Sequence, residues 1–364
     1  MLKRFERWGK LLLAWVAAAA LWRPGRCRWV PEKLRAPRRI LLVRIDERLG
    51  EALLTTPLFR ALRQRADRPE VHVLVHRNVA RVLRAHPEID ALHTLDARDR
   101  VLGPLSPAIR RARRRGFDVV VNCASWDAPS VGPAIVCRLV APHAALIGPR
   151  VAPIRWLQDL SVAALPDTRS EVRQRLHLLS PLGVETAAPT LSFRAAEPDE
   201  AVKRIISAIG GRSYAVVNPG GRLDARRVPP DVFSAAARAL VEAGIASIVT
   251  WGPGEEELAR RCAEGASAAF VAPRTSIDQL AALMRGARLT VCNNTGPMHL
   301  SVAVGTPTLA FFIGMEMARW GHAYPPHQMI DVTSVADPAA EASRAVLAFL
   351  TGSAKPPSNL GCGA

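Results

Sequence analysis

Near its start the chain carries one continuous apolar run, Leu11 to Trp22 (LLLAWVAAAALW). From Arg38 onward short apolar runs alternate with stretches of helical periodicity. Ile40 to Ile45 (ILLVRI) reads as a buried strand, followed by a helix over Leu53 to Arg65. Val71 to Val75 predicts the next strand, then come a helix through Ala85 and a strand over Ala91 to Leu95. The run Arg110 to Arg115 reads as a solvated helix end. Phe117 to Cys123 (FDVVVNC) predicts a strand, and Ala145 to Ile147 a short one. Residues 151 to 190 read as helical, with apolar positions at i, i+3, i+4 over Glu171 to Leu179. A second series follows Pro189, with strands at Tyr214 to Asn218, Ala246 to Trp251, Ala269 to Ala272, Leu289 to Asn293 and Thr308 to Ile313. Helices are predicted at Pro230 to Ala243, Glu255 to Ala263, Ile277 to Arg285, Pro297 to Val304 and Pro338 to Leu350. Alternation of this kind implies βαβ units and parallel sheets. The pattern therefore predicts an α/β chain of two doubly wound parallel-sheet domains, 39–190 and 191–336. A leader (1–38) precedes them, and a last helix (337–352) and a disordered tail (353–364) follow.

Composition supports this picture. The 364 residues are 49% apolar, enough for two cores, and the 5% aromatic content argues against an all-β fold. The formal charge of +17 is uneven: eleven Lys or Arg stand before residue 40, against Glu6 and Glu32. A basic segment beside an apolar run is drawn to anionic lipid head groups, at roughly 1 kcal/mol per basic residue near the surface. Twelve apolar residues fall short of the about 20 that span a bilayer. The leader is therefore read as a membrane-surface anchor; a short spanning or uncleaved segment and a helix packed on the body are the alternatives. Nucleic acid is not an expected partner, because the basic residues border the apolar run and no interleaved Tyr or Phe offers stacking. The six cysteines are scattered with no CxxC pair, which reads as buried thiols in a reducing compartment, and no metal site is visible.

Three segments can carry chemistry. In residues 289 to 312 a strand ends at Cys292, a tight turn follows, and a helix starts near Pro297 with Thr295 as its N-cap. Gly296 lets a ligand approach the backbone, and the free N–H groups with the helix dipole favour a phosphate. His299 lies one turn beyond Thr295 on the same side; a capped buried helix with a core histidine serves the same pattern. In residues 40 to 62 a strand delivers Asp46, Glu47 and Glu51 to a loop around Gly50, where a carboxylate can act as general base. An acidic residue in a helix's first turn is the plainer explanation. In residues 216 to 233 a strand ends at Asn218-Pro219-Gly220-Gly221, and a loop with Arg222, Arg226 and Arg227 leads to a helix. There an arginine could neutralise a departing diphosphate, or the loop could simply be solvated.

Taken together, and in this order from about Arg39 to Tyr324, the segments resemble the glycosyltransferase family that includes the ADP-heptose:lipopolysaccharide heptosyltransferases. VHVLVHRNVARVLRAHPEID and TSIDQLAALMRGARL add to the likeness, and NTGPMHLSVAVGTP is its most specific element. The resemblance implies a GT-B fold of two Rossmann-like domains facing a cleft, no metal, and inversion at the anomeric carbon. It implies an acceptor domain in the N-terminal half and a nucleotide-sugar domain in the C-terminal half. The donor would be a nucleotide-diphosphate sugar, ADP-heptose, used as co-substrate with no further cofactor. The acceptor would be a lipid-linked saccharide of the lipopolysaccharide core or a related envelope glycan. The enzyme would then sit in the cytoplasm, peripheral on the inner face of the inner membrane. Glu51 would be the general base with Asp46 in reserve and Gly50 in the acceptor loop; Gly220, Arg226, Asn294, Thr295, Gly296 and His299 would hold the donor diphosphate.

This sequence departs from the family's pattern at four places. Glu51 stands for Asp, Asn294 for Asp, Arg226 for Lys and Val228 for Trp. Glutamate lengthens the base by one methylene, an error of about 1 Å that is enough to matter. Asn294 keeps an acceptor and loses a charge, and Arg226 brings a fork where lysine brings a point charge. These departures leave two rivals: a degenerate non-catalytic sugar-binding relative, and another GT-B enzyme such as a nucleotide-sugar epimerase.

Overall fold

The ten apolar runs read as strands become ten of twelve parallel strands, six in each half of the chain. The computed structural model describes residues 9, 16, 19, 26–127, 130–152, 154–184, 188–221, 224, 227–314 and 317–352. These fall into two compact units, Met1–Thr190 and Leu191–Ala364. The first holds β1 (Arg39–Arg44), β2 (Glu70–His76), β3 (Ala91–Leu95), β4 (Val119–Asn122), β5 (Ala145–Pro149) and β6 (Leu160–Val162), in sheet order β3-β2-β1-β4-β5-β6. The second holds β7 (Tyr214–Asn218), β8 (Ala246–Val249), β9 (Ala269–Val271), β10 (Leu289–Asn293), β11 (Thr308–Phe312) and β12 (Gln328–Asp331), in order β12-β11-β10-β7-β8-β9. Both sheets are therefore doubly wound in the Rossmann order, which reverses direction once. That switch point lies between β1 and β4 in the first unit and between β7 and β10 in the second, and ligands in such sheets bind at the carboxyl ends beside it.

Burial explains why these strands are parallel and central. Every residue of β1 from Ile40 to Arg44 is buried, as is all of β4, β7 and β10, which requires helices on both faces. In the first unit Leu41, Val43, Val120 and Leu146 pack with Val136 and Val140 of the helix Val131–Val140. In the second, Val217, Val291 and Leu309 pack with Phe233 and Leu240 of the helix Pro230–Glu242, which also lies along the helix Pro338–Leu350. The Phe233 and Phe311 rings meet edge-on, 6.1 Å apart.

Three expectations change. The helix expected over Leu53 to Arg65 is two helices, Leu49–Leu53 and Thr56–Arg63. Pro57 starts the second, and the Thr55 and Thr56 hydroxyls donate to the carbonyls of Glu51 (2.9 Å) and Leu53 (2.7 Å), closing the first. Among the described residues the helical reading of 151 to 190 holds for α-helix only at Glu171–His177, and the edge strand β6 interrupts it. The leader contributes a helix, Arg26–Arg35; of the apolar run only Val16 and Ala19 are described, and the tail 353–364 lies outside the described residues. Among the described residues no helix is long and apolar enough to cross a membrane.

Candidate functional site

At the first switch point β1 ends in Arg44, a buried cation. Its Nη1 donates to Cys123 O (2.5 Å) and its Nη2 to Glu51 Oε2 (2.7 Å). Arg175, fully buried on the helix Glu171–His177, donates Nη2 to the same Glu51 oxygen and Nη1 to Glu51 O (2.9 Å). Arg175 Nη2 also reaches Glu171 Oε1 (2.9 Å), which accepts from Ser125 Oγ (2.6 Å). Two arginines and two glutamates thus neutralise one another out of water. Burial alone would raise the Glu51 pKa, but Arg175 and Arg44 outweigh it and hold the carboxyl at about 2. A carboxylate so held has little affinity for a proton. Glu51, expected as the general base, is placed as the anchor of this network. Gly50, expected in a loop, lies in the first turn of the helix Leu49–Leu53, and its carbonyl accepts from Leu54 N (2.8 Å). Asp46 stands just past the strand end with its side chain 30% exposed; Oδ2 is 2.7 Å from Arg44 Nε and Oδ1 is 3.5 Å from Arg48 Nη2.

At the second switch point the turn Pro219-Gly220-Gly221 leaves β7. Asn293, the buried last residue of β10, donates Nδ2 to Pro219 O (2.6 Å) and Gly220 O (3.3 Å), and its Oδ1 accepts from Val228 N (3.0 Å). Glu255, after the end of β8, closes the turn from the other side. Its Oε1 accepts from Gly221 N (2.8 Å) and Arg227 Nη2 (3.1 Å), and its Oε2 from Gly252 N (2.9 Å). A Cβ on Gly220 would overlap this carboxylate. The room beside Gly220, expected to admit a phosphate, is therefore occupied by Glu255. A Cβ on Gly221 would lie 3.1 Å from Thr295 Cγ2, so the glycine turn and the Thr295 turn adjoin. Arg226 lies outside the described residues.

The helix Gly296–Ala303 opens behind Thr295, which takes the N-cap position in extended conformation (φ −144°). Its hydroxyl does not cap the helix and instead donates to Asn293 O (3.4 Å). With no side-chain cap here and no N–H on Pro297, the Gly296 amide stands at a helix start, a favourable place for an anion. Asn294, Thr295 and Gly296 are half-buried, whereas His299 is buried. His299 Nδ1 stands 2.8 Å from His322 Nε2, with the rings edge-on. Burial, reinforced by His299 and His327, keeps the His322 pKa well below that of free histidine. Among the described residues no group of three or more His, Cys, Asp or Glu is arranged to hold a metal ion. The cysteines 123, 137, 262 and 292 are free and buried, and burial pushes the Cys123 thiol up to about 11.

The sequence reading had not singled out Arg44, Glu171, Arg175, Asn293, Glu255 or His322. The run Gly252-Pro253-Gly254-Glu255 after a strand was a visible signal for Glu255, and Glu171 with Arg175 is an i, i+4 pair on a predicted helix. Nothing local linked Arg175 to Glu51, 124 residues away.

Two doubly wound Rossmann-like units, each with polar groups gathered at its switch point, make the chain a protein of the GT-B architecture. The chain belongs to glycosyltransferase family 9 (heptosyltransferase), whose sequence pattern matches residues 108–345, and it is a glycosyltransferase. It is 26% identical over 285 residues to the lipopolysaccharide heptosyltransferase 3 of Escherichia coli (strain K12), covering 74% of this chain and 81% of that protein. The fold is similar to the crystal structure of the glycosyl transferase family 9 from Veillonella parvula DSM 2008. That match has a TM-score of 0.68 and 20% identity over 81% of this chain and 86% of the other. It is also similar to the E. coli ADP-heptose lps heptosyltransferase II, at a TM-score of 0.67 and 15% identity over 87% of this chain and all of the other.

Proposed function

We propose that this enzyme transfers heptose from ADP-heptose to a lipid-linked saccharide of the lipopolysaccharide core, with inversion and without a metal. The uncapped helix start at Thr295-Gly296, at the β7/β10 switch point, carries this reading. The diphosphate binds there through the Gly296 amide. Asn294 accepts a sugar hydroxyl, and His299 orients the donor from the first turns of the helix. Arg226 and Arg227, adjacent in the sequence, neutralise the leaving group; Glu255 positions Arg227 and the glycine turn.

The acceptor hydroxyl attacks the anomeric carbon, a new C–O bond forms, and the bond to the phosphate oxygen breaks. ADP departs with the electron pair, and the proton passes to a carboxylate of the N-terminal unit. Asp46 is that carboxylate, because it is partly exposed at a strand end, whereas Glu51 is buried and held by two arginines. The leader keeps the enzyme at the cytoplasmic face, next to its lipid-linked acceptor.

The test is calorimetric titration of ADP into the parent and a Gly296→Val variant. A branched side chain at the helix start blocks the phosphate. The expected result is at least tenfold weaker ADP binding with little change in melting temperature. Equal affinity in a folded Gly296→Val protein would place the diphosphate elsewhere.

A further inference from the structure

Beyond β3 the N-terminal unit carries a segment that the transfer chemistry does not use. The helix Ala97–Leu102, the 3₁₀ turn Gly103–Leu105 and the helix Pro107–Arg113 follow one another and pack together. The last helix turns Ile109 and Ala112 into the core against Val136 and Val140. Its other faces leave Arg110, Arg111, Arg113 and Arg114 exposed. Beside them Val101 is 87% exposed and Leu105 is 68% exposed. Arg110 Nη2 donates to Leu105 O (2.8 Å), so the cations and the apolar tip belong to one surface.

The acids of this segment do not balance the arginines. Asp96 and Asp99 form a reciprocal capping box, Asp99 also accepts from Ser106 Oγ (2.8 Å), and Asp96 pairs with Arg77 (3.1 Å). None of the four arginines forms an ion pair among the described residues. A lone exposed valine or a solvated arginine face is ordinary. Two protruding aliphatic side chains joined to four unbalanced guanidinium groups fit a boundary where anionic phosphates overlie hydrocarbon. A nucleic acid would use the charge but leave Val101 and Leu105 in water, with no ring on which to stack a base.

We infer that this surface docks on an anionic lipid bilayer. Val101 and Leu105 enter the head-group region and the arginines hold lipid phosphates. The contact is separate from the leader, because it is made by residues 101 to 114, and it brings this part of the N-terminal unit to the membrane.

The test places an environment-sensitive fluorophore on Leu105→Cys in the full chain. Cys27→Ser and Cys362→Ser are added so that only the new thiol reacts, since the remaining cysteines are buried. The emission should shift to the blue with phosphatidylglycerol-containing vesicles and not with phosphatidylcholine alone. The shift should fade as salt rises, since the Debye length falls from about 10 Å at 0.1 M to about 3 Å at 1 M. Arg110→Gln with Arg111→Gln should weaken the response on the order of tenfold or more. A water-like emission from position 105 while the chain still sediments with vesicles would overturn the inference and leave the leader as the only anchor. An equal response to duplex DNA would also overturn it.

Discussion

Glu51 Oε2 accepts a 2.7 Å hydrogen bond from Arg44 Nη2 and shares the same oxygen with Arg175. The contact joins the helix after β1 to the end of β1 and to a helix far along the chain. Glu51→Gln keeps the shape and removes the charge, leaving two buried guanidinium groups with Glu171 as their buried counterion. Breaking such a pair costs about 3–5 kcal/mol. The urea midpoint should drop accordingly, with transfer lost mainly through the folded fraction. The Glu51 pKa is lowered to about 2, so this contribution is present above the unfolded value near 4.5 and is lost as pH falls from 4.5 towards 2. An unchanged midpoint would remove Glu51 from the anchoring role.

Asp46→Asn should separate chemistry from stability. Its contacts with Arg44 and Arg48 are partly exposed and are worth about 1 kcal/mol or less. Loss of a general base lowers the rate by roughly 10²- to 10⁴-fold. Single-turnover transfer should fall in that range while ADP affinity and melting temperature stay near parental. Parental turnover would return the role to another group.

Mild acid should weaken both units before Glu51 titrates. Burial, followed by His72 and Arg115, lowers the His93 pKa to about 4, and burial lowers His327 to about 4. The His72 pKa is also lowered by burial, and that of His322 lies well below 6.5. The unfolded chain, titrating near 6.5, therefore binds more protons between pH 6.5 and about 4. The stability is complete above that window and declines as pH falls through it, by at most about 1.4 kcal/mol per pH unit per histidine and less for the partly exposed His93. Denaturant midpoints at about pH 7.5 and pH 5 check this; equal midpoints would contradict it.

Gly220→Ala should disturb the turn after β7 more than Gly221→Ala. The new methyl at 220 would overlap the Glu255 carboxylate and force it off the Gly221 amide and Arg227. At 221 the methyl only crowds Thr295 Cγ2, at 3.1 Å. Overpacking of this kind costs about 1–3 kcal/mol. ADP affinity and thermal midpoint should both fall for the 220 variant. If the two variants behave alike, Glu255 does not organise the turn.

The central strands were legible because each is buried and mostly apolar: β7 and β10 begin and end where the pattern places them. The edge strands β6 and β12 were not, being three and four residues long with mixed exposure, and they are formed by their neighbours. Residues 289 to 299 and 216 to 221 signalled the two adjoining turns through glycine and the strand-to-helix change. The groups that set the shape of the glycine turn, Asn293 and Glu255, work through contacts across it. Thr295 holds the capping position that the sequence suggests, but its hydroxyl turns back to Asn293. Glu51 looked reactive because the residues around it show a strand end and a glycine. Its two arginine partners arrive from β1 and from a helix more than a hundred residues away, which no local pattern carries.

The most direct test of the account is the transfer itself. The full-length enzyme is mixed with ADP-heptose and a lipopolysaccharide core acceptor that lacks the added heptose, and both products are followed. The account predicts one heptosyl group added per acceptor with an equal amount of ADP released, and no product when the acceptor is omitted. Binding of ADP-heptose with neither transfer nor ADP release would contradict it and identify the chain as a non-catalytic relative.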